Sequence, residues 1–329
     1  MDWYTHFRRK FITWSPIKMV IRKSKKIILP GFKGIPLFDV VRFLFLQFQK
    51  TGLSERAASI AFNLLVALPP AIIFLFTLVP FLPISRQFVE ELFDLIRDVI
   101  PSGKDNTVLI TFLDDFLRNP RNGLLSFGFI LALFYSSNAM LGIMRSFDRN
   151  YAGFRKRGVI HSRITALRIT LILFLVVILS VVLLIIQDSV LGWLGITNVI
   201  MVEFIKVVRW ILVIMLFFVT ISFIYRYAPA VQKRWKHVNA GSILATFLMI
   251  TFTFLFSIYV NNFANYNKLY GSIGTILVLM LLIFFNSYVL LIGFELNVSI
   301  NALKREVDER KAAEEIKARH EQAHVPASS

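Results

Sequence analysis

The chain has 329 residues, of which 56% are hydrophobic and 17% charged, with a formal net charge of +17 and no cysteine. The charged share is well below the roughly 25% of ordinary soluble domains, and the lack of cysteine excludes disulfides, thiolate metal sites and cysteine nucleophiles. The basic excess would suit nucleic acid by count, but it lies at the ends of apolar segments, where it sets membrane topology and meets anionic lipid; no nucleic-acid partner is expected.

Six apolar stretches run over 57–83, 122–144, 165–187, 205–225, 240–262 and 273–294. Each meets the need for about 20 helical residues to cross about 30 Å of hydrocarbon. They lack the period-2 alternation of a barrel, which leaves helices that satisfy their own backbone groups. The predicted fold class is all-α: a polytopic membrane protein with six transmembrane helices, an amphipathic N-terminal interfacial helix and an external helical hairpin.

In chain order, residues 1–36 read as a basic cytoplasmic segment. It has no sustained apolar core before a small-residue site, so no cleavable signal is expected. Pro30-Gly31 and Gly34-Ile35-Pro36 separate it from a helix over 37–50. There Asp39, Arg42, Gln47, Gln49 and Lys50 lie opposite Leu37, Val41, Phe45 and Phe48. Such a helix lies on the cytoplasmic leaflet or packs under the bundle.

The membrane domain is predicted over 37–303. Its first span carries Asn63, about 9 Å deep by helical rise, and Pro69-Pro70, which should kink or break the helix. The break is either structural or marks a discontinuous helix beside a binding site. Loop 84–121 contains two amphipathic runs parted by Pro101-Ser102-Gly103 and predicts an external hairpin over 85–119. Asp114 and Asp115 within it point about 100° apart, which suits a solvated face and not a shared site. The second span holds Ser136-Ser137-Asn138 and exits at Arg145. Arg168 lies near the start of the third span and Arg226 closes the fourth. Asn286 and Glu295 lie on the sixth, and residues 304–329 form a charged cytoplasmic tail with Glu306–Arg310 in the favourable i,i+4 order.

Charge sets the orientation. Residues 1–56 hold twelve Lys/Arg against three acids, and 226–239 hold four against none, whereas 84–121 hold five against seven acids. This positive-inside pattern places both termini in the cytoplasm, consistent with an even number of spans. The five histidines show no metal-ligand spacing with a usable partner, and there is no phosphate-cradling, dinucleotide or nucleophile-elbow motif. Neither metal nor cofactor is expected.

Polar residues therefore gather in the cytoplasmic half. One reading makes Asn63, Asn138, Arg145, Arg168, Arg226, Asn286 and Glu295 the lining of a cavity for an anionic headgroup. The other has the arginines snorkelling to lipid phosphate and the amides joining helices. Glu295, the single acid in its apolar run, should face the interior and pair with a basic or amide group.

Three segments carry a family resemblance: Ala57-Ala58-Ser59-Ile60-Ala61-Phe62 with Pro70; Tyr225-Arg226-Tyr227-Ala228-Pro229; and Tyr270-Gly271-Ser272-Ile273-Gly274 leading to Gly293-Phe294-Glu295-Leu296-Asn297. In this order the chain resembles the YihY/virulence factor BrkB family of six-helix bacterial inner-membrane proteins over roughly 40–303, departing from it at Asn63, where the family commonly has an aromatic residue. The resemblance implies an integral inner-membrane protein and, from some members, a link to lipid or lipopolysaccharide export. It also brings an old label of tRNA-processing nuclease, which these residues oppose because they group no acids and histidines to activate water. The expected function is non-enzymatic: a transporter or binder of an anionic amphiphile such as a lipid. The alternative is a membrane scaffold or adaptor, with a membrane nuclease third. Membrane lipids are the expected partners, and the oligomeric state is left open.

Overall fold

The structure is a computed structural model that describes residues 22–78, 122–148, 151, 153–155, 157–193, 199–232, 234–263 and 272–323. The basic start over 1–21 and the predicted hairpin at 85–119 lie outside the described residues. Seven helices organise the rest: α1 Leu37–Thr51, α2 Leu53–Leu78, α3 Asn122–Phe147, α4 Val159–Trp193, α5 Val199–Tyr227, α6 Ala240–Phe263 and α7 Ser272–Ala323. The protein is all-α, and five of these helices, α2, α3, α4, α6 and α7, are long and apolar enough to cross a membrane. The predicted fourth span falls on α5, whose described apolar run, Ile211–Tyr227, is shorter.

α2 packs against α3 and α7, α7 against α6, α3 against α4, and α5 against α6. The tightest core lies at one end, where α2, α4 and α6 begin and α3 and α5 finish. Ala57, Ile60, Met144, Phe147, Tyr225, Leu291 and Phe294 are fully or almost fully buried there. Towards the other end, apolar side chains such as Ile72, Ile130, Leu175 and Phe254 are exposed, as a bundle facing hydrocarbon requires.

Two expectations are modified. Of the kink or break expected at Pro69 and Pro70, the break does not occur: α2 is one continuous helix through both. Ending the helix there would free further carbonyls and N–H groups in an apolar setting, whereas a continued helix forgoes only the bonds that the two rings remove. The last span and the charged tail form one continuous helix of 52 residues. No Pro or Gly follows Gly293 within it, and Glu306–Arg310 at 2.8 Å and Lys304–Asp308 at 2.8 Å support the exposed turns.

Of the two readings of α1, packing under the bundle has a counterpart. Val40 and Leu44 pack with Phe32, Ile35, Leu296 and Ile300, so α1 is docked on α7. Its adjacent side carries Val41 and Phe45, 38% and 62% exposed. Gly52, in the left-handed region at φ 56°, ends α1 and lets the chain turn directly into α2; a side chain would disfavour that conformation.

Candidate functional site

The site is built around Glu295, which is fully buried on α7. Arg56, in the first turn of α2 and 4% exposed, forms its ion pair, Nη1 to Oε1 at 2.5 Å. The second terminal nitrogen of Arg56, Nη2, donates to the carbonyl of Ser146 at the end of α3, at 2.6 Å. Tyr151, on the loop after α3, donates its hydroxyl to the same Glu295 oxygen at 2.6 Å. One carboxylate thus joins α2, α7 and the α3–α4 loop. Two hydrogen bonds offset part of the cost of burying the charges, the condition under which such a pair survives. Burial pushes the Tyr151 phenol up, and the Glu295 charge adds to it, so Tyr151 stays protonated as a donor.

An aromatic layer surrounds the pair. Phe147 stacks on Phe294 with ring centroids 4.0 Å apart, and Trp235 lies 5.6 Å from Phe294. The Tyr225 hydroxyl donates to the Leu290 carbonyl at 2.5 Å, joining α5 to α7.

The α3–α4 and α5–α6 loops are also joined to each other. Phe154 and Val231 form an antiparallel bridge. Asp148 accepts from the Ala230 N–H at 2.8 Å, and Arg157 donates to the carbonyls of Ala228 and Pro229 at 2.7 and 2.9 Å. Burial raises the Asp148 carboxyl, opposed by the Ala230 N–H and by Arg157; burial lowers the Arg157 guanidinium, opposed by Asp148.

The segment Gly293–Asn297 explains itself residue by residue. A Cβ on Gly293 would lie 2.6 Å from the Gly241 carbonyl oxygen, and one on Gly241 2.1 Å from that of Gly293. The α6–α7 crossing therefore needs two glycines, the small-residue contact of membrane helices. Phe294 fills the aromatic layer, Glu295 takes the ion pair, and Leu296 joins the cluster under α1. Asn297 accepts from the Gly241 N–H at 2.9 Å and donates to Asn239 at 2.7 Å. Asn239 in turn caps α6 through the Ser242 N–H at 2.8 Å, so free N–H groups of the first turn are satisfied from two sides.

The other predicted residues lie on separate seams. Asn63 donates to the Ser59 carbonyl at 2.7 Å and rests against α3, where a Cβ on Gly142 would come within 2.9 Å of its amide nitrogen. Asn138 on α3 accepts from Arg163 on α4, whose guanidinium also lies 4.9 Å from the Phe134 ring centre. Asn286 on α7 donates to the Leu282 carbonyl at 3.0 Å and to Thr253 on α6 at 3.4 Å. Arg226 donates to the Trp235 carbonyl at 3.0 Å and draws the α5–α6 loop onto its helix. Arg145 and Arg168 are exposed. Only Glu295 joins the central network. Among the described residues, no three His, Asp or Glu side chains gather where they could hold a metal ion.

Arg56, Tyr151 and Asp148 were absent from the sequence-derived site. In sequence, Arg56 is one of the twelve basic residues of 1–56 that set the topology. The available signal was the acid itself: a lone carboxylate at the end of an apolar helix requires a cation at a similar depth, and Arg56 stands at the start of the first span.

The family profile described as "Virulence factor BrkB" matches residues 44–318. The Bacillus subtilis protein named "Putative ribonuclease-like protein YfkH" is 29% identical over 259 residues, covering 78% of this chain and 92% of that protein. "UPF0761 membrane protein IL2447" of Idiomarina loihiensis is 30% identical over 105 residues, which are 32% of this chain and 37% of that one. A UPF0761 membrane protein of Xanthomonas campestris pv. campestris is 33% identical over 87 residues, 26% of this chain and 20% of its own length. No solved structure matches. With most of its length matched by the profile and its helices built to cross a lipid bilayer, the chain belongs to the virulence factor BrkB family of membrane proteins.

Proposed function

We propose that this is a multi-pass protein of the bacterial inner membrane, with six transmembrane helices and both termini in the cytoplasm, that binds and moves an anionic amphiphile such as a phospholipid. The six-span count takes α5, 29 residues in all, as a further span. The orientation rests on the basic loops at 145–163 and 226–239, which follow the positive-inside rule. Cysteine introduced as Arg155→Cys or Arg234→Cys, in a chain that has none, should stay unlabelled by an impermeant thiol reagent in intact spheroplasts and react after lysis. Labelling before lysis would overturn the orientation.

The observation that carries the substrate reading is Arg168. It is an exposed cation nine residues into α4, among exposed Ile164, Leu171 and Ile172. A guanidinium beside apolar surface complements a headgroup phosphate whose tails remain in hydrocarbon. Arg145, at the end of neighbouring α3, adds a second exposed cation. In proteoliposomes the protein should speed transbilayer movement of a fluorescent anionic phospholipid over a zwitterionic one, and Arg168→Gln should slow it by about tenfold, about 1.4 kcal/mol. A specific observation favours the scaffold reading instead: the amides of Asn63, Asn138 and Asn286 are each engaged at helix seams, and the Arg56–Glu295 end is closed by aromatic packing. Lipid movement no faster than in protein-free vesicles would select the scaffold. The ribonuclease-like name of the Bacillus relative is not adopted, because the site gathers no set of groups suited to activating water on a phosphodiester.

A further inference from the structure

Beyond its apolar stretch α7 continues past α1, and a cavity of about 760 Å³ opens between them. Its cations come from three places: Lys33 on the turn before α1, Arg42 on α1, and Lys304, Arg310 and Lys311 on α7. The acids on its lining are Asp39 and Glu306, so positive charge prevails. Lys33 donates to Asn301, Lys304 pairs with Asp308, and Arg310 with Glu306. The last two are exposed pairs, which hold their members weakly. Arg42 and Lys311 are exposed and have no ion-pair partner among the described residues.

The remaining wall is apolar, with Phe43, Leu46 and Leu303 on it. Leu46 is 47% exposed and continues outside the cavity into the exposed side of α1 at Phe45. The cations therefore border an apolar surface that suits the interface of a bilayer. Arginine can meet a phosphate through two parallel hydrogen bonds, and lysine adds a point charge.

We propose that this cavity binds a phosphate-bearing anion, with Arg42 and Lys311 as its principal contacts and Lys33 in support, and that the apolar edge of α1 makes an anionic phospholipid headgroup its form. The site is separate from Arg168 and does not depend on lipid movement. A bound phosphate would tie the exposed part of α7 to α1, which already share the Leu44–Leu296–Ile300 cluster.

The test uses the full chain in nanodiscs of zwitterionic lipid. The probes are dihexanoyl phosphatidylglycerol, dihexanoyl phosphatidylcholine and glycerol 3-phosphate, with binding followed by calorimetry. The phosphatidylglycerol should bind more tightly than the other two. Arg42→Gln with Lys311→Gln should weaken it about tenfold, two exposed charge contacts being lost. Arg42→Lys with Lys311→Arg should retain most of the binding, and Lys317→Gln, outside the cavity, should leave it unchanged. All these positions are exposed, so the thermal midpoint of each variant should match the parent. Glycerol 3-phosphate binding as tightly as the lipid, and lost in the Gln variant, would keep the phosphate site and overturn the lipid assignment. Equal affinity of parent and Gln variant for every probe would overturn the site itself. Arg168→Gln is expected to bind phosphatidylglycerol like the parent, so failure here and failure of the transport reading give different results.

Discussion

Replacing Arg56 with leucine should destabilise the protein by about 3–5 kcal/mol, the usual cost of leaving one member of a buried ion pair without its partner. Glu295 is fully buried, and its accepting oxygen would keep only the Tyr151 hydroxyl. The Ser146 carbonyl would also lose its donor. Part of the loss should return in the double variant Arg56→Leu with Glu295→Leu, because removing both charges also removes the desolvation penalty. Two apolar residues cannot rejoin Tyr151 and Ser146, so recovery should be incomplete. Unfolding in mixed micelles by titration with an anionic detergent, followed by helical signal, measures both variants. A loss below about 1 kcal/mol for Arg56→Leu would mean that the pair is solvated and the closed end is not the core described above.

The α6–α7 crossing yields the second large effect. Gly241→Ala should cost about 3 kcal/mol or prevent the helices from docking, since overpacking against backbone cannot relax by a rotamer change. The new Cβ would fall 2.1 Å from the Gly293 carbonyl oxygen and 2.4 Å from the Asn297 amide nitrogen. Separating the helices would also break the Asn297–Gly241 bond and pull Asn239 from its cap. Gly128→Ala supplies the contrast. Its Cβ would meet only ordinary contacts, the nearest at 3.7 Å, and alanine is the better helix former by about 1 kcal/mol. The same titration should rank Gly241→Ala well below the parent and Gly128→Ala at or slightly above it. Equal tolerance at both glycines would contradict the close crossing.

The polar residues divide by what surrounds them once the helices are packed. Asn63, Asn138 and Asn286 are alike in sequence, short amides inside apolar runs; Asn138 and Asn286 bond across to a neighbouring helix, whereas Asn63 bonds back to Ser59 on its own helix and only rests against α3. Arg168 and Arg56 are both arginines near the start of a span. One is exposed, and the other is nearly inaccessible. No local property of either residue separates them; the difference is that α7 lies beside α2 and brings Glu295 to Arg56.

The all-α class and the membrane character were readable from the chain, because hydrocarbon imposes one requirement on every segment, and composition and length report it directly. The need of Glu295 for a partner was readable too, since a buried charge is costly whatever the fold. Tertiary structure decided which cation answered it, that α2 stays helical through Pro69 and Pro70, and that α1 turns one apolar side to α7 and leaves another uncovered. The physical reason is the same in each case. These outcomes depend on contacts between segments far apart in the chain, such as Arg56 with Glu295 and Gly241 with Gly293, and periodicity within one segment carries no information about its neighbour.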